Sequence, residues 1–441
     1  MTHPKNQNAL ELALVLLVFL VANVASQLVQ PHITFNNGQS FDGLYYYRVA
    51  YQFAHGQEIS TQAPFVYRLG TPYLVALFFP DDLLLGFKVV NVAANLLASV
   101  LFMLWLRLYL DGWPLRLLLV TLFVVQWQGP VRFTYYDPNL TDSWLFVFLL
   151  AGLIIIERLK TKPHPLWLIG LSLVTFIGVL FREVVAILPL VLAFVTNPMA
   201  AWAELSFPMT RQKLENLLKR PFYPFLVPLA CAVAGLLIVH QVASQNNDYS
   251  FATAALDWAY KKPLLTYLHA FFIAFGPLIV LPFISARRSL SYLWVHQELL
   301  AFLLAVMFVA WIGGSDTERF LFWAMPVVFL LIGLAIQENK AVLSSPWLIL
   351  LLAVSTACSY RLFWTVADYP NKFDTPTPIL SILSNRFQYL DLWSFFATRS
   401  VQAISLVEYV ALSGVLALWI KLRQAYAGPA LRLAPGTDVE R

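Results

Sequence analysis

The chain has 441 residues, of which 59% are hydrophobic, 15% aromatic and only 12% charged. A charged fraction that low excludes a soluble globule, whose surface needs roughly 25–35% charged residues, and the apolar and aromatic content excludes a disordered chain. What is left is a polytopic membrane protein, so the formal charge of +5 is read loop by loop as a cytoplasmic bias of Lys and Arg rather than as a nucleic-acid footprint.

A span needs ~20 mostly apolar residues. About 12 such stretches (11–13) follow in chain order, near 9–29, 83–106, 115–129, 142–157, 166–181, 183–196, 222–243, 265–285, 296–312, 319–336, 346–363 and 402–420. The expected fold is therefore an all-α polytopic membrane protein, a single transmembrane domain over 1–441. The opening run ELALVLLVFLVANVASQLVQ lacks a strongly basic start and is long for a signal-peptide core of ~7–15 residues, so it is read as a retained span. The stretches flanking Arg182 read as a tight hairpin or one broken helix. The segment 197–221 reads as an amphipathic interfacial helix around LENLLKR. Cys231 and Cys358 both sit in apolar runs and are read as buried thiols.

Charge sets the orientation. With the amino terminus in the cytoplasm, every cytoplasmic segment carries at least one Lys or Arg, from Lys5 through Arg107 and Arg116 to Lys421 and Arg423. Most acidic residues, from Asp42 to Asp391, then fall outside, and both termini are cytoplasmic. The outer face gains two long segments, 30–82 and 364–401, the first expected to contain interfacial helices.

The chemistry-bearing residues lie on that outer face. FNNGQSFDGLYYYRVAYQFAHG places Asp42 before a helix that carries Tyr45, Tyr46, Tyr47, Arg48 and Tyr51, and APFVYRLGTPYL follows with Arg68. An ionised carboxylate at a helix start can serve as a general base on a hydroxyl. Tyr and Arg nearby can hold a sugar or a phosphate. The same residues also fit a helix N-cap followed by an interfacial aromatic belt. VRFTYYDPNLTDSWLF supplies Arg132, Asp137, Asn139 and Asp142, either as helix caps or as part of a polar site. Arg182 and Glu183 interrupt a long apolar stretch, which calls for a partner or a hairpin tip. WIGGSDTERFLFWAMP sets Asp316, Glu318 and Arg319 at a helix start. An Arg there opposes the helix dipole unless an anion binds close by or an internal ion pair forms with Asp316 or Glu318.

No nucleotide-loop, zinc-protease or nucleophile-elbow signature occurs, and the seven histidines lack ligand spacing. No cofactor and no metal ligand set is assigned. Any activated donor is then expected to arrive dissolved in lipid.

The motifs resemble the GT-C superfamily of integral-membrane glycosyltransferases. FDGLYYYRVA and PFVYRLGTPYL are similar to the D-G-x-x-Y start and Y-R-x-x-x-P continuation of bacterial members. LTDSWLF, LFREVVAIL and DTERFLFWAMP are similar to the later T-D, R-E and D-x-x-R segments. The resemblance runs in order over residues 1 to about 336. It implies transfer of a sugar from a polyprenyl-phosphate donor to an acceptor hydroxyl, on a glycan, lipid or protein, at the extracytoplasmic face of a bacterial inner membrane, with inversion. It further implies Asp42 as general base, Arg319, Arg182 and Arg68 on the leaving lipid phosphate, and Asp137 and Asp142 on acceptor or sugar hydroxyls. Tyr45, Arg48, Arg132, Glu183 and Asp316 complete the expected substrate site. The first loop lacks an E-x-D or D-x-D pair, which argues against a metal-dependent, oligosaccharyltransferase-like subtype. Two other classes compete: an O-antigen polymerase or ligase-like enzyme, which needs no early Asp-Gly-x-x-Tyr, and a lipid-linked glycan flippase or transporter. Concentration of charge at one face, rather than at the midplane, favours an enzyme.

Overall fold

The computed structural model describes residues 4–195, 223–362, 368 and 394–426. The expected interfacial helix at 197–221 and most of the expected outer segment 364–401 lie outside the described residues. About 78% of the described residues are helical. The sheet among the described residues is one parallel pair, β1 (Ile59–Thr61) and β2 (Ala243–Gln245), in register Ile59 to Ala243.

The helices run in chain order. The first nine are α1 (Pro4–Val29), α2 (Gly43–Ala54), α3 (Gly70–Phe78), α4 (Leu83–Leu106), α5 (Trp113–Val125), α6 (Pro130–Tyr136), α7 (Asp142–Thr161), α8 (Pro165–Phe181) and α9 (Ile187–Val195). They are followed by α10 (Leu226–Val242), α11 (Phe251–Lys261), α12 (Leu264–Phe275), α13 (Val280–Ile284), α14 (Ala286–Val295), α15 (Gln297–Ile312) and α16 (Thr317–Phe322). The last four are α17 (Met325–Glu338), α18 (Lys340–Leu343), α19 (Pro346–Ser359) and α20 (Arg399–Tyr426).

Among the described residues, five stretches are long and apolar enough to cross a membrane: Gln7–Val29, Leu83–Leu106, Trp113–Tyr136, Leu264–Ile284 and Gln402–Ala425. The pair α14 and α15, bent by 107°, makes a sixth if it is one span. Five further apolar helices are shorter, among them α8, α10, α17 and α19. The chain is thus an all-α membrane protein by length and apolarity of its helices, and fewer of them meet a full-length criterion than the expected twelve. Breaks shorten several. A 3-10 turn, Glu183–Ala186, follows Arg182 between α8 and α9, whereas the break at 126–129 between α5 and α6 leaves Trp113–Tyr136 long enough to cross.

The core sits where α4, α7, α8 and α10 pack side by side. Gly235 allows α10 to approach α8, since a Cβ there would lie 2.5 Å from Val179 and 2.9 Å from the Phe176 carbonyl. Residues 325–333 of α17 are all buried, whereas α1 and α20 bury little inside the protein and present Leu and Val outwards, as lipid-facing helices do.

Helix α7 fixes the separation of two polar layers. Asp142 opens it, Glu157, Arg158 and Lys160 close it, and residues 143–156 between them carry no charge. At 1.5 Å per residue its ends lie ~30 Å apart, about the thickness of a bilayer's hydrocarbon core. At the far end Lys160 pairs with Glu298 at 2.7 Å. There too the buried Glu11 of α1 holds Arg107 at 2.8 Å and Arg116 at 2.7 Å.

Candidate active site

At the Asp142 end, the start of α2, the α6–α7 loop, the α8–α9 turn and the start of α16 bring their charged residues together. Each was open in the sequence to a capping role. Asp82 shows what a capping carboxylate does: its Oδ1 accepts the Leu85 N–H at 3.1 Å at the start of α4. Asp42, Thr141 and Asp316 hold the equivalent positions of α2, α7 and α16, and none makes a side-chain cap hydrogen bond. Their polar groups are turned elsewhere.

Three guanidiniums meet three carboxylates. Arg68 donates to Glu183 through Nε at 3.0 Å and Nη2 at 2.6 Å, the forked geometry that favours Arg over Lys. Arg182, 1% exposed, lies 3.2 Å from Asp142 Oδ1 and donates to Thr141 Oγ1 at 3.0 Å. Arg319 pairs with Asp316 at 2.6 Å and reaches Asp142 Oδ2 at 3.3 Å. Asp142 therefore bridges two arginines from different helices. The Tyr46 hydroxyl ties in a third, accepting from Arg68 at 2.5 Å and Arg182 at 3.4 Å. The Arg182 guanidinium also lies over the Trp323 ring, 5.2 Å from its centroid, a cation–π contact.

Three carboxylates are left over. Glu318 is fully buried and accepts the Ser394 N–H at 3.3 Å. Asp137, 6% exposed, accepts the Ser40 hydroxyl at 2.5 Å through Oδ2, while Oδ1 is buried without a partner among the described residues. Burial pushes it up to about 7, against the Ser40 hydrogen bond and the charge of Arg319. Asp42 is half-buried and makes neither a cap bond nor an ion pair among the described residues. Burial raises its carboxyl to about 6, with Asp316 adding to the rise and Arg319, Arg68 and Arg182 opposing it. Gly43 makes the arrangement possible: a Cβ there would meet the Asn139 Cβ at 2.7 Å and Asp137 Oδ1 at 3.4 Å. The close approach of α2 to the α6–α7 loop is what sets Asp42 and Asp137 within each other's field.

Behind the ion pairs, Gln128, Thr134, Asp137, Asp142 and Arg319 line a cavity of about 20 Å³. That is room for one water, not for a sugar, whose pockets run to roughly 300 Å³ or more. Asp42 does not line it. Asp42 keeps part of its surface exposed. Among the described residues no group of three or more His, Cys, Asp or Glu is placed to hold a metal ion.

Of the residues picked from the sequence, Asp42, Arg68, Asp137, Asp142, Arg182, Glu183, Asp316 and Arg319 come together. Three do not. Arg48 is exposed on the outer side of α2. Tyr45 stacks on Phe65, centroids 4.9 Å apart and planes 8° apart, and it is Phe65, 5.7 Å from the Arg68 guanidinium, that faces the cluster. Arg132 turns to the other side of α6 and donates to the carbonyls of Val125, Tyr360 and Arg361 at 2.5–3.0 Å. The Arg182 and Glu183 side chains pair with Asp142 and Arg68 rather than with each other. For Arg319, the internal pair with Asp316 is the arrangement present.

Ser40 and Trp323 were not singled out beforehand; Tyr46 was named with its neighbouring tyrosines and Thr141 was open to a capping role, neither as a partner of the arginines. Tyr46 had a signal: it lies four residues after Asp42, and Trp323 four after Arg319, the spacing that puts two side chains on one helix face. Ser40 reaches Asp137 across 97 positions, and nothing local announces that. The chain matches no family model, no curated protein and no solved structure in the comparisons made.

Proposed function

We propose that the chain is a membrane glycosyltransferase of the GT-C type, passing a sugar from a polyprenyl-phosphate donor to an acceptor hydroxyl on the extracytoplasmic face. The observation that carries this is the division of the cluster. Three arginines are matched by Asp142, Glu183 and Asp316, and the carboxylate that is left both unpaired and accessible is Asp42. With its carboxyl near 6, Asp42 is ionised at neutral pH yet basic enough to take a proton, the property wanted in a general base. The acceptor oxygen attacks the anomeric carbon, its proton passes to Asp42, and the carbon–oxygen bond to phosphate breaks with its electron pair on the leaving polyprenyl phosphate. Direct displacement inverts the anomeric centre. The arginines supply positive charge as the phosphate departs. The twelve-span arrangement, cytoplasmic termini and an outward site belong to the same proposal, supported by the charge pattern of the loops and the ~30 Å between the polar layers at the two ends of α7.

The test is transfer by the purified chain in lipid nanodiscs, offered a panel of radiolabelled polyprenyl-phosphate hexoses and pentoses with membrane extract as acceptor source. Transfer by the wild type that Asp42→Asn abolishes, with donor binding kept, supports the reading. No transfer from any donor, or transfer undiminished in Asp42→Asn, overturns it.

A further inference from the structure

A second cluster of positive charge lies on the other side of α6, and unlike the first it contains no carboxylate among the described residues. Arg132 is clamped by carbonyls at the carboxy ends of α5 and α19, whose dipoles partly offset its charge. The next charge is Arg361, only 9% exposed. Its guanidinium offers five N–H donors, yet it makes no hydrogen bond and no ion pair among the described residues. Arg68, by contrast, is matched by the Glu183 carboxylate at 2.6 Å.

The backbone adds to the argument. Helix α19 ends in a Schellman motif, with Arg361 N donating to the Cys358 carbonyl at 3.0 Å and Leu362 N to the Ala357 carbonyl at 2.9 Å. Arg361 occupies the left-handed position of that motif, at φ +52°, a place glycine fills without strain and arginine does not. A strained residue carrying a buried, unmatched charge has a reason to be arginine beyond the turn.

We propose that Arg361 and Arg132 form a phosphate-binding site separate from the Asp42 cluster. A phosphate supplies several acceptor oxygens and the negative charge that the two arginines lack, and guanidinium is the group best matched to it. The site does not rest on the transfer reading, because binding is measured without turnover. Should its ligand be a lipid phosphate, Arg361 rather than Arg319 becomes the residue that holds it.

The experiment measures binding of inorganic phosphate and of farnesyl phosphate to the purified chain in neutral detergent, by calorimetry and thermal shift. The decisive variant is Arg361→Gly, which removes the guanidinium while giving the turn its preferred residue, so the fold is retained. Arg48→Gln, an exposed outer arginine, is the control. The expected result is affinity about tenfold or more weaker in Arg361→Gly, with Arg48→Gln unchanged. Binding of farnesyl phosphate alone identifies a lipid headgroup as the ligand, and comparable binding of both identifies free phosphate. Undiminished affinity in Arg361→Gly, binding of neither probe, or loss confined to Arg319→Gln overturns the proposal.

Discussion

If Asp42 takes the proton, the pH dependence of transfer reports its environment. With a carboxyl at about 6, roughly one tenth of Asp42 is ionised at pH 5 and roughly nine tenths at pH 7. The rate at limiting substrate should therefore climb about ninefold to tenfold between those values and level off above. Asp42→Asn should flatten the profile and cost a factor of about 10²–10⁴. Neighbours then move the inflection in opposite directions. Arg319 lowers the Asp42 carboxyl and Asp316 raises it, so Arg319→Gln should shift the midpoint above 6 and Asp316→Asn should shift it below. A simple loss of folding lowers the whole curve without moving its midpoint. The assay is initial-rate transfer from a fixed polyprenyl-phosphate donor across pH 4.5–8.5. A flat profile between pH 5 and 7, midpoints moving the other way, or more than about a tenth of wild-type rate in Asp42→Asn refutes the assignment.

Three structural consequences can be checked without a substrate. Asp142→Asn leaves Arg182 and Arg319 without the carboxylate that bridges them and should destabilise the fold by about 3–5 kcal/mol, read as a fall in apparent Tm in detergent. Gly43→Ala forces a Cβ to within 2.7 Å of Asn139, so the α6–α7 loop must move, and a Tm loss comparable to that of Asp142→Asn is expected; an unchanged Tm would mean the close approach is not required. Asp137 has a folded pKa of about 7 against 3.8 for the free group. Its ionisation thus disfavours the folded state increasingly as pH rises from about 4 to about 7, reaching on the order of 4 kcal/mol by pH 8. Asp137→Asn should accordingly raise Tm at pH 8 more than at pH 5, and an equal shift at both would count against the buried charge.

How far the fold was legible follows from the helices. The expected stretch at 83–106 coincides with α4, and the expected 142–157, 166–181 and 296–312 overlap α7, α8 and α15, because apolar runs bounded by charge or proline are a local property. The break after Val125, the 107° bend between α14 and α15 and the short parallel strands at Ile59–Thr61 and Ala243–Gln245 depend on partners far away in sequence. The candidate site shows the same division. Eight of the eleven chosen residues converge, since polar groups at one end of a lipid-facing bundle have few places to go. Arg132 is as polar as Arg182 and as close to Asp137 in sequence as any, yet α6 turns it to the opposite side. Tyr45 and Tyr46 are neighbours on α2, and one helical step of about 100° decides that Tyr46 meets the arginines and Tyr45 meets Phe65. Glu11, in the first apolar run, gave no sign that it would anchor Arg107 and Arg116.

The sequence by itself determined the class of molecule, an all-α membrane protein, because hydropathy is summed over local segments and needs no knowledge of contacts. Only the tertiary structure decided which charges neutralise one another. Ion pairing depends on ångström distances between residues as far apart as Asp142 and Arg319, and on which side of a helix each side chain leaves. That pairing separates Asp42 from the other carboxylates of its cluster and Arg361 from the other buried arginines. In a chain with so few charges, the unmatched ones are where the chemistry is proposed.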